Sequence, residues 1–223
     1  APMVANLDDD NGDGVIDEDD VPDVVFNTFH PRSPNRDGRP TYNVDGVLRA
    51  ISGDDGSRLW PTETPTHFTH PGLEVAIADL RADSPGPEIV GCTFPAGQRL
   101  GAARLTLFSN TGAVLERFDG EVTVGCGRPA VADMNGDGVA EIVVGNTIVQ
   151  ADGSGSVDAA IRGRSVIPVL YDVDDDPDLE LIGINGVADP DGATVWESDS
   201  VFVDESGYSA VADMDLDGDP DIV

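Results

Sequence analysis

The chain has 223 residues and a formal net charge of −31 at pH 7, and none of its 12 basic residues is a lysine. This acidic excess without a basic patch argues against a nucleic-acid partner, and no stretch approaches the ~18 uninterrupted apolar residues of a membrane-spanning helix. Hydrophobic residues make up 39% of the sequence, enough to bury a core. Because so many acids repel one another in a compact protein, we expect cations to neutralise part of the charge. An acidic surface of the halophilic kind is the alternative.

One pattern recurs along the chain: a short apolar strand, a loop with acids at alternate positions, and a returning strand. We number these loops 1 to 5, at residues 6–23, 79–88, 133–141, 172–180 and 213–221. The acids that lead loops 2 to 5 are 54, 39 and 41 residues apart (133 − 79, 172 − 133 and 213 − 172). Each of the first four copies is followed by a second hairpin with a tight-turn pair: Asp55-Gly56, Thr111-Gly112, Asp152-Gly153 or Asp191-Gly192. Four short strands per repeat are typical of β-propeller blades.

We therefore predict an all-β protein, a single partial β-propeller over residues 1–223. The predicted blades cover about 1–66, 72–122, 127–161 and 165–200, with an incomplete fifth blade at about 207–223. A ring of four blades and a fraction would leave a strand edge open. We therefore expect the sequence to be part of a longer chain or of an assembly.

Loop 1 is longer than the others and contains two overlapping sets of oxygen ligands. Asn6, Asp8, Asp10 and, after an insertion, Asp23 can form a site like those of the other loops. The insertion also reads as an EF-hand-type loop, although no helices flank it. Its ligands at positions 1, 3, 5, 9 and 12 would be Asp9, Asn11, Asp13, Asp17 and Asp20, with Gly14 at position 6. The sequence leaves open whether loop 1 holds one ion or two.

Loops 3, 4 and 5 match one ligand pattern, with oxygen side chains at positions 1, 3, 5 and 9 and a backbone carbonyl available at position 7. Oxygen ligands without His or Cys favour calcium over zinc or copper. A solvated turn is the alternative for any one loop, but three matching loops favour calcium. The predicted ligands are Asp133, Asn135, Asp137, Val139 and Glu141; Asp172, Asp174, Asp176, Asp178 and Glu180; and Asp213, Asp215, Asp217, Asp219 and Asp221.

Loop 2 departs from this pattern. Arg81 occupies the second ligand position, and the spacing from Asp83 to Glu88 is one residue too long. An arginine there can pair with Asp79 or Asp83 and replace the charge of the metal. We predict no calcium in loop 2.

The two cysteines, Cys92 and Cys126, are expected on the face opposite the loops, in neighbouring blades. A disulfide would close a separation of 34 residues (126 − 92), worth roughly 3–4 kcal/mol in the chain-entropy model. It would indicate an oxidising compartment. Two unpaired buried thiols are the alternative.

Other candidate residues carry weaker signals. His67 and His70 could contact a metal or substrate, although solvated loop histidines are the commoner case, and the Arg-rich segment 27–42 could contact a partner. Trp60, Trp196 and Phe118 end the last strand of their repeats, which favours packing between blades over sugar stacking. No nucleophile motif or phosphate-binding glycine loop is present, so we do not predict an enzyme.

The segment 131–145, Val-Ala-Asp-Met-Asn-Gly-Asp-Gly-Val-Ala-Glu-Ile-Val-Val-Gly, resembles the FG-GAP/VCBS repeat of integrin-α-type β-propellers. The resemblance implies a propeller, often seven-bladed, with calcium in the loop between the first two strands of a blade. It also implies a secreted or cell-surface protein. We predict a non-enzymatic, calcium-binding protein of adhesion, surface assembly or scaffolding, with a protein or glycan ligand on the face opposite the loops. A lectin-type propeller and a propeller module of a polysaccharide lyase are the alternatives.

Overall fold

A computed structural model describes most of the chain and divides it into two compact units, Ala1–Cys126 and Gly127–Val223. The described residues form short strands and no helix, which confirms the all-β prediction. No sheet among them closes into a barrel or a ring, so the propeller stays a prediction. None of these segments could cross a membrane as a helix. The described residues are 2–29, 46–60, 67–69, 74–95, 103–118, 128–161, 164–165, 167–174, 176–198 and 206–223.

The first unit contains one eight-stranded sheet in the order β1-β2-β3-β4-β6-β7-β8, with β5 paired to β6. Its antiparallel strands are β1 (Met3–Ala5), β2 (Asp23–Phe29), β3 (Gly46–Ile51), β4 (His67–Thr69), β5 (Ala76–Ala78), β6 (Glu88–Pro95), β7 (Arg104–Phe108) and β8 (Val114–Arg117). The sequence predicted two separate sheets here. They are joined because β4 pairs with both β3 and β6. The strand expected at 57–60 is reduced to one bridge, between Ile51 and Arg58.

The second unit contains two four-stranded antiparallel sheets, which fall within the predicted ranges 127–161 and 165–200. Residues 211–222 form a further hairpin, and a parallel pair joins 164–165 to 206–207. The strands are β9 (Ala130–Ala132), β10 (Glu141–Val144), β11 (Thr147–Gln150), β12 (Ser156–Asp158), β13 (Arg164–Ser165), β14 (Val169–Tyr171), β15 (Glu180–Ile182), β16 (Gly186–Ala188), β17 (Thr194–Glu197), β18 (Ser206–Gly207), β19 (Val211–Ala212) and β20 (Asp221–Ile222).

The inner strands β10 and β15 are continuous apolar runs after a leading acid because they are buried along their whole length. A strand covered on both faces loses the polar alternation of a half-exposed strand. Met134, Val143, Ile148 and Leu181 form one cluster in the second unit, each almost completely buried. Each such side chain contributes roughly 1.5–3 kcal/mol by leaving water. The core therefore anchors loops 3 and 4 at both ends.

Two turn glycines are required by close packing as well as by backbone conformation. Gly112 has φ +78°, and a Cβ there would lie 2.7 Å from Trp60. The Trp60 indole N–H also donates to the Asn110 carbonyl at 2.8 Å. Gly192 has φ +85°, and its Cβ would lie 2.7 Å from Val157. Trp60 thus packs on the turn of the next repeat, whereas Trp196 at the corresponding position is 52% exposed.

Candidate metal centres

Loop 3 is curled by its own side chains. The Asp133 carboxylate accepts the amides of Asp137 at 3.1 Å and Gly138 at 3.0 Å. Asn135 accepts the Asp137 amide at 3.0 Å, and Asp137 accepts the Val139 amide at 2.8 Å. These side-chain-to-backbone bonds fix the loop in a tight turn with its oxygens on the inside. The hydrogen bonds bring three of the predicted ligands, Asp133, Asn135 and Asp137, into one turn.

The last acid of loops 3 and 4 is buried and only half satisfied. Glu141 is fully buried, and its Oε2 accepts the Met134 amide at 2.7 Å. Glu180 is equally buried and accepts the Val173 amide at 2.7 Å. In both residues Oε1 is buried without a hydrogen-bond partner among the described residues. Because a buried charged oxygen without a partner is costly, these loops suit a cation.

Loop 4 brings three carboxylates together: oxygens of Asp172, Asp174 and Glu180 lie within 4.8 Å of one another. Asp176 accepts the amide of Asp178 at 2.8 Å. The pKa of Glu180 is raised by burial and further raised by the charges of Asp174, Asp176 and Asp172, while the Val173 amide partly opposes the shift. The loop therefore concentrates negative charge around a buried carboxylate.

Loop 5 repeats the geometry of loop 3 at a more exposed position. Oxygens of Asp213, Asp215 and Asp221 lie within 4.8 Å of one another. Asp213 accepts the amides of Asp217 at 3.2 Å and Gly218 at 3.1 Å. The loop also contains Leu216 at φ +64°, where loop 3 has Gly136 at φ +67°.

Loop 1 carries the largest group of acids. Asp23 is fully buried and accepts the amides of Leu7 at 2.9 Å and Gly53 at 3.1 Å. Asn6 Oδ1 and Asp8 Oδ1 are buried without a hydrogen-bond partner among the described residues. Burial raises the pKa of Asp8, and the carboxylate of Asp23 raises it further by its charge and a shared hydrogen bond. Asp10 accepts the Val21 amide at 3.1 Å and closes the base of the insertion.

The insertion of loop 1 is folded on its own acids. Asp9 accepts the amides of Gly12, Asp13 and Gly14 at 2.8–3.0 Å. Asn11 accepts the Asp13 amide at 2.9 Å, and Asp13 accepts the Val15 amide at 2.9 Å. The remaining two predicted ligands close the loop: Asp17 accepts the Asp19 amide, and Asp20 accepts those of Asn11 and Asp17.

In loop 2 the structure shows two contacts that the sequence did not indicate. The Arg81 guanidinium forms an ion pair with Glu116 on β8, a partner other than the expected Asp79 or Asp83. Glu88 is fully buried and accepts the amides of Leu80 at 2.8 Å and Arg81 at 3.1 Å, and its Oε1 is buried without a hydrogen-bond partner among the described residues, as in Glu141 and Glu180. The shared run of acid, Ile and Val at the start of the returning strand (Glu88-Ile89-Val90 and Glu141-Ile142-Val143) is the sequence signal for this role. The absence of calcium from loop 2 stays a prediction.

Several other candidates lie partly or wholly outside the described residues. Cys92 is buried and disulfide-bonded, while Cys126 falls outside them. His70 and residues 30–42 of the Arg-rich segment also fall outside, and His67 is described only as part of β4.

The chain was compared with known proteins. No protein-family model and no curated protein matches it. Among solved structures, the Vibrio cholerae biofilm matrix protein Bap1 is similar over 100% of this chain, with 28% identity and a TM-score of 0.76. A Bacillus licheniformis rhamnogalacturonan lyase is similar over 100% of the chain at 19% identity and TM-score 0.68, and the exotype lyase YesX over 89% at 18% and 0.61. The chain spans 34% of Bap1 and 43% and 38% of the two lyases. It thus has a β-rich fold shared with a matrix protein and with lyases.

Proposed function

We propose that this chain is a calcium-binding β-propeller segment of an extracellular matrix or cell-surface protein, acting without catalysis in adhesion, surface assembly or scaffolding. The observation that carries the proposal is loop 4, where oxygens of Asp172, Asp174 and Glu180 lie within 4.8 Å of one another and Glu180 Oε1 is buried without a hydrogen-bond partner among the described residues. Oxygen donors alone, in a short curled loop, fit calcium. The likeness to Bap1, at 28% identity over 100% of this chain, supports the matrix role.

Calcium in this proposal is structural. In loop 3 it would be held by Asp133, Asn135, Asp137, the Val139 carbonyl and Glu141, and bound there it supplies positive charge. Glu141 opens β10 and pairs with Ala132 at the end of β9, so the loop joins two neighbouring strands. Neutralising the loop acids removes a repulsion that otherwise pushes those strand ends apart. Loops 4 and 5 join their hairpins in the same way.

The propeller arrangement and the ligand face are part of the same proposal. Trp60 packs against the turn at Gly112, and Val157 packs against the turn at Gly192. Each contact joins two consecutive repeats, which supports repeats that pack side by side. Because we assign the loops to calcium binding, we place the protein or glycan ligand on the opposite face. The net charge of −31 supports a partner other than nucleic acid.

A lyase module is the second candidate, favoured by the fold shared with the rhamnogalacturonan lyases. A lectin-type propeller would differ from it by binding glycan without turnover. These three functions separate in one experiment on the calcium-loaded chain.

The test measures retention of the chain on surfaces coated with matrix polysaccharide or rhamnogalacturonan, with calcium or with chelator, and records release of unsaturated ends by ultraviolet absorbance. We expect calcium-dependent retention on matrix material without unsaturated product. Product formation would transfer the assignment to the lyase module. Retention displaced by one free sugar would indicate a lectin, and neither retention nor turnover would remove the matrix role.

A further inference from the structure

A cleft of about 480 Å³ lies within the second unit, between the third and fourth repeats. Strands β11 and β12 of the third repeat form one side of it, and the turn between β16 and β17 of the fourth repeat forms the other. Asn135 of loop 3 and two acids of loop 4, Asp176 and Asp178, complete the lining. Small-molecule sites have volumes of roughly 300–1,000 Å³, so the cleft is large enough to hold a ligand group. We call it the inter-repeat cleft.

The lining of the inter-repeat cleft combines an apolar wall with a group of carboxylates. The wall is formed by Ile148 and Val157 from the third repeat and by Pro190 from the fourth. Among the described residues, no basic and no aromatic side chain lines the cleft. The polar lining groups are the carboxylates of Asp176, Asp178, Asp189 and Asp191, the amides of Asn135 and Gln150, and the hydroxyl of Ser156. The cleft therefore offers apolar contact and negative charge together.

Asp189 is an acid that its own turn does not require. In that turn, the Asp191 carboxylate and the Asp189 carbonyl oxygen each accept a backbone amide at 2.8 Å. The corresponding turn of the third repeat makes the same two contacts through the Asp152 carboxylate and the Gln150 carbonyl oxygen. Gln150 thus occupies the place of Asp189, and a neutral side chain serves this turn equally well. The Asp189 carboxylate takes no part in these bonds.

Negative charge is concentrated around Asp189. Burial raises the pKa of Asp189, and the charges of Asp191, Asp174, Asp176 and Asp178 raise it further. Like charges that the fold holds close together repel one another. A positive group in the cleft would offset this repulsion.

The spacing of the carboxylates favours an organic cation over a bare metal ion. In the described residues, groups of three acids with oxygens within 4.8 Å of one another occur at 172–180 and 213–221, and none includes Asp178, Asp189 or Asp191. An arginine side chain matches the lining on both counts. Its methylene stem packs on apolar surface, and its N–H donors form a planar fork that pairs with carboxylates. An amino sugar fits less well, because the described lining has no aromatic side chain against which a sugar ring could stack.

We propose that the inter-repeat cleft binds an arginine side chain of a partner protein, with the guanidinium beside Asp189 and Asp178 and the methylene stem against Val157 and Pro190. This inference goes beyond the proposed function, since the cleft adjoins loops 3 and 4 and is not on the face assigned above to the protein or glycan ligand. Asp189 lies outside the loops, so the site does not depend on calcium binding by Asp189.

The test follows the backbone amides of the whole chain by NMR, in calcium buffer, during titration with a blocked Gly-Arg-Gly peptide. We expect saturable shifts at Gln150, Val157 and Asp189. The same peptide with citrulline, which keeps the shape of arginine without its charge, should bind at least about tenfold more weakly. Asp189→Asn should weaken binding of the arginine peptide by about tenfold. Asp54→Asn, which removes an exposed acid outside the cleft, should leave that affinity unchanged.

Equal affinity for the arginine and citrulline peptides, unchanged affinity in Asp189→Asn, or the absence of saturable shifts at the cleft would each overturn the proposal. Gln150→Arg is a second variant, for use if Asp189→Asn does not fold. It places a guanidinium of the chain itself in the cleft and should abolish the response, and retained binding would also overturn the proposal. Glucosamine, titrated in parallel, should bind more weakly than the arginine peptide. Stronger binding of glucosamine would assign the cleft to an amino sugar and remove the protein partner.

Discussion

Replacing Glu141 by Gln should destabilise the chain in calcium but not in chelator. The side chain is fully buried, Oε2 accepts the Met134 amide at 2.7 Å, and Oε1 has no hydrogen-bond partner among the described residues. Gln keeps the shape and can still accept the amide through its carbonyl oxygen. It removes the charge and the anionic calcium ligand. The substitution therefore separates the energetic cost of burying the Glu141 carboxylate from the contribution of that carboxylate to calcium binding.

The magnitudes follow from these two roles of Glu141. Calcium at 100 times its Kd stabilises the folded chain by about 2.7 kcal/mol, so a variant with ~100-fold weaker binding would lose about 2 kcal/mol of that. In chelator, Gln removes a buried unsatisfied charge that costs about 1–3 kcal/mol, while the hydrogen bond from Met134 loses part of its strength. We expect Glu141→Gln to be destabilising in calcium and neutral or stabilising in chelator.

The assay is urea unfolding followed by circular dichroism in ~1 mM calcium and in chelator, a calcium concentration that exceeds by roughly 100-fold the Kd of a site of about 10 μM. Asp54→Asn is the matched control, since it removes one charge from an exposed turn outside the loops. Its effect should be small and equal in both buffers. An equal change in the free energy of unfolding for Glu141→Gln in the two buffers would refute the reasoning.

Three further outcomes follow from the structure. Trp60→Ala should lower the free energy of unfolding by about 3–5 kcal/mol because the buried indole fills a packed contact. Trp196→Ala, at a site 52% exposed, should lower it much less. Similar values for the two variants would argue against the packing account. Leu216→Gly should be more stable than Leu216→Ala by about 1 kcal/mol in thermal unfolding, because only Gly relieves the positive φ, and the reverse order would contradict this. In chelator, unfolding should require more free energy as the pH falls from 7 towards 4.5, the ordinary pKa of a Glu. The raised pKa of Glu180 gives stability that is complete below its unfolded pKa and lost as the pH rises through its folded pKa; Glu180→Gln should flatten that profile, and an unchanged slope would count against it.

The parts of the structure that the sequence predicted are local. In loop 3, residues two to five positions apart form the hydrogen bonds, so the pattern of Asp, Asn and Gly contains the information. The strands on either side are short apolar runs, and β9, β10, β14 and β15 lie where the repeats placed them. Alternating acids and β-branched runs fix such hairpins because neither requires a distant partner.

The parts that the sequence missed depend on distant residues. Arg81 pairs with Glu116, 35 residues away, and the local acids Asp79 and Asp83 gave no indication of it. The joining of the first two sheets by β4 depends on a three-residue strand too short to show periodicity.

The measurement that tests the central claim most directly is thermal unfolding of the purified chain with and without chelator, combined with a count of bound calcium. With several ions at about 100 times their Kd, each contributes about 2.7 kcal/mol, and each kcal/mol moves the Tm of a chain of this size by about 2–4 °C. The account predicts bound calcium and a fall in Tm of at least about 10 °C on chelation. An unchanged Tm with no bound metal would contradict it and leave the acids as a solvated surface.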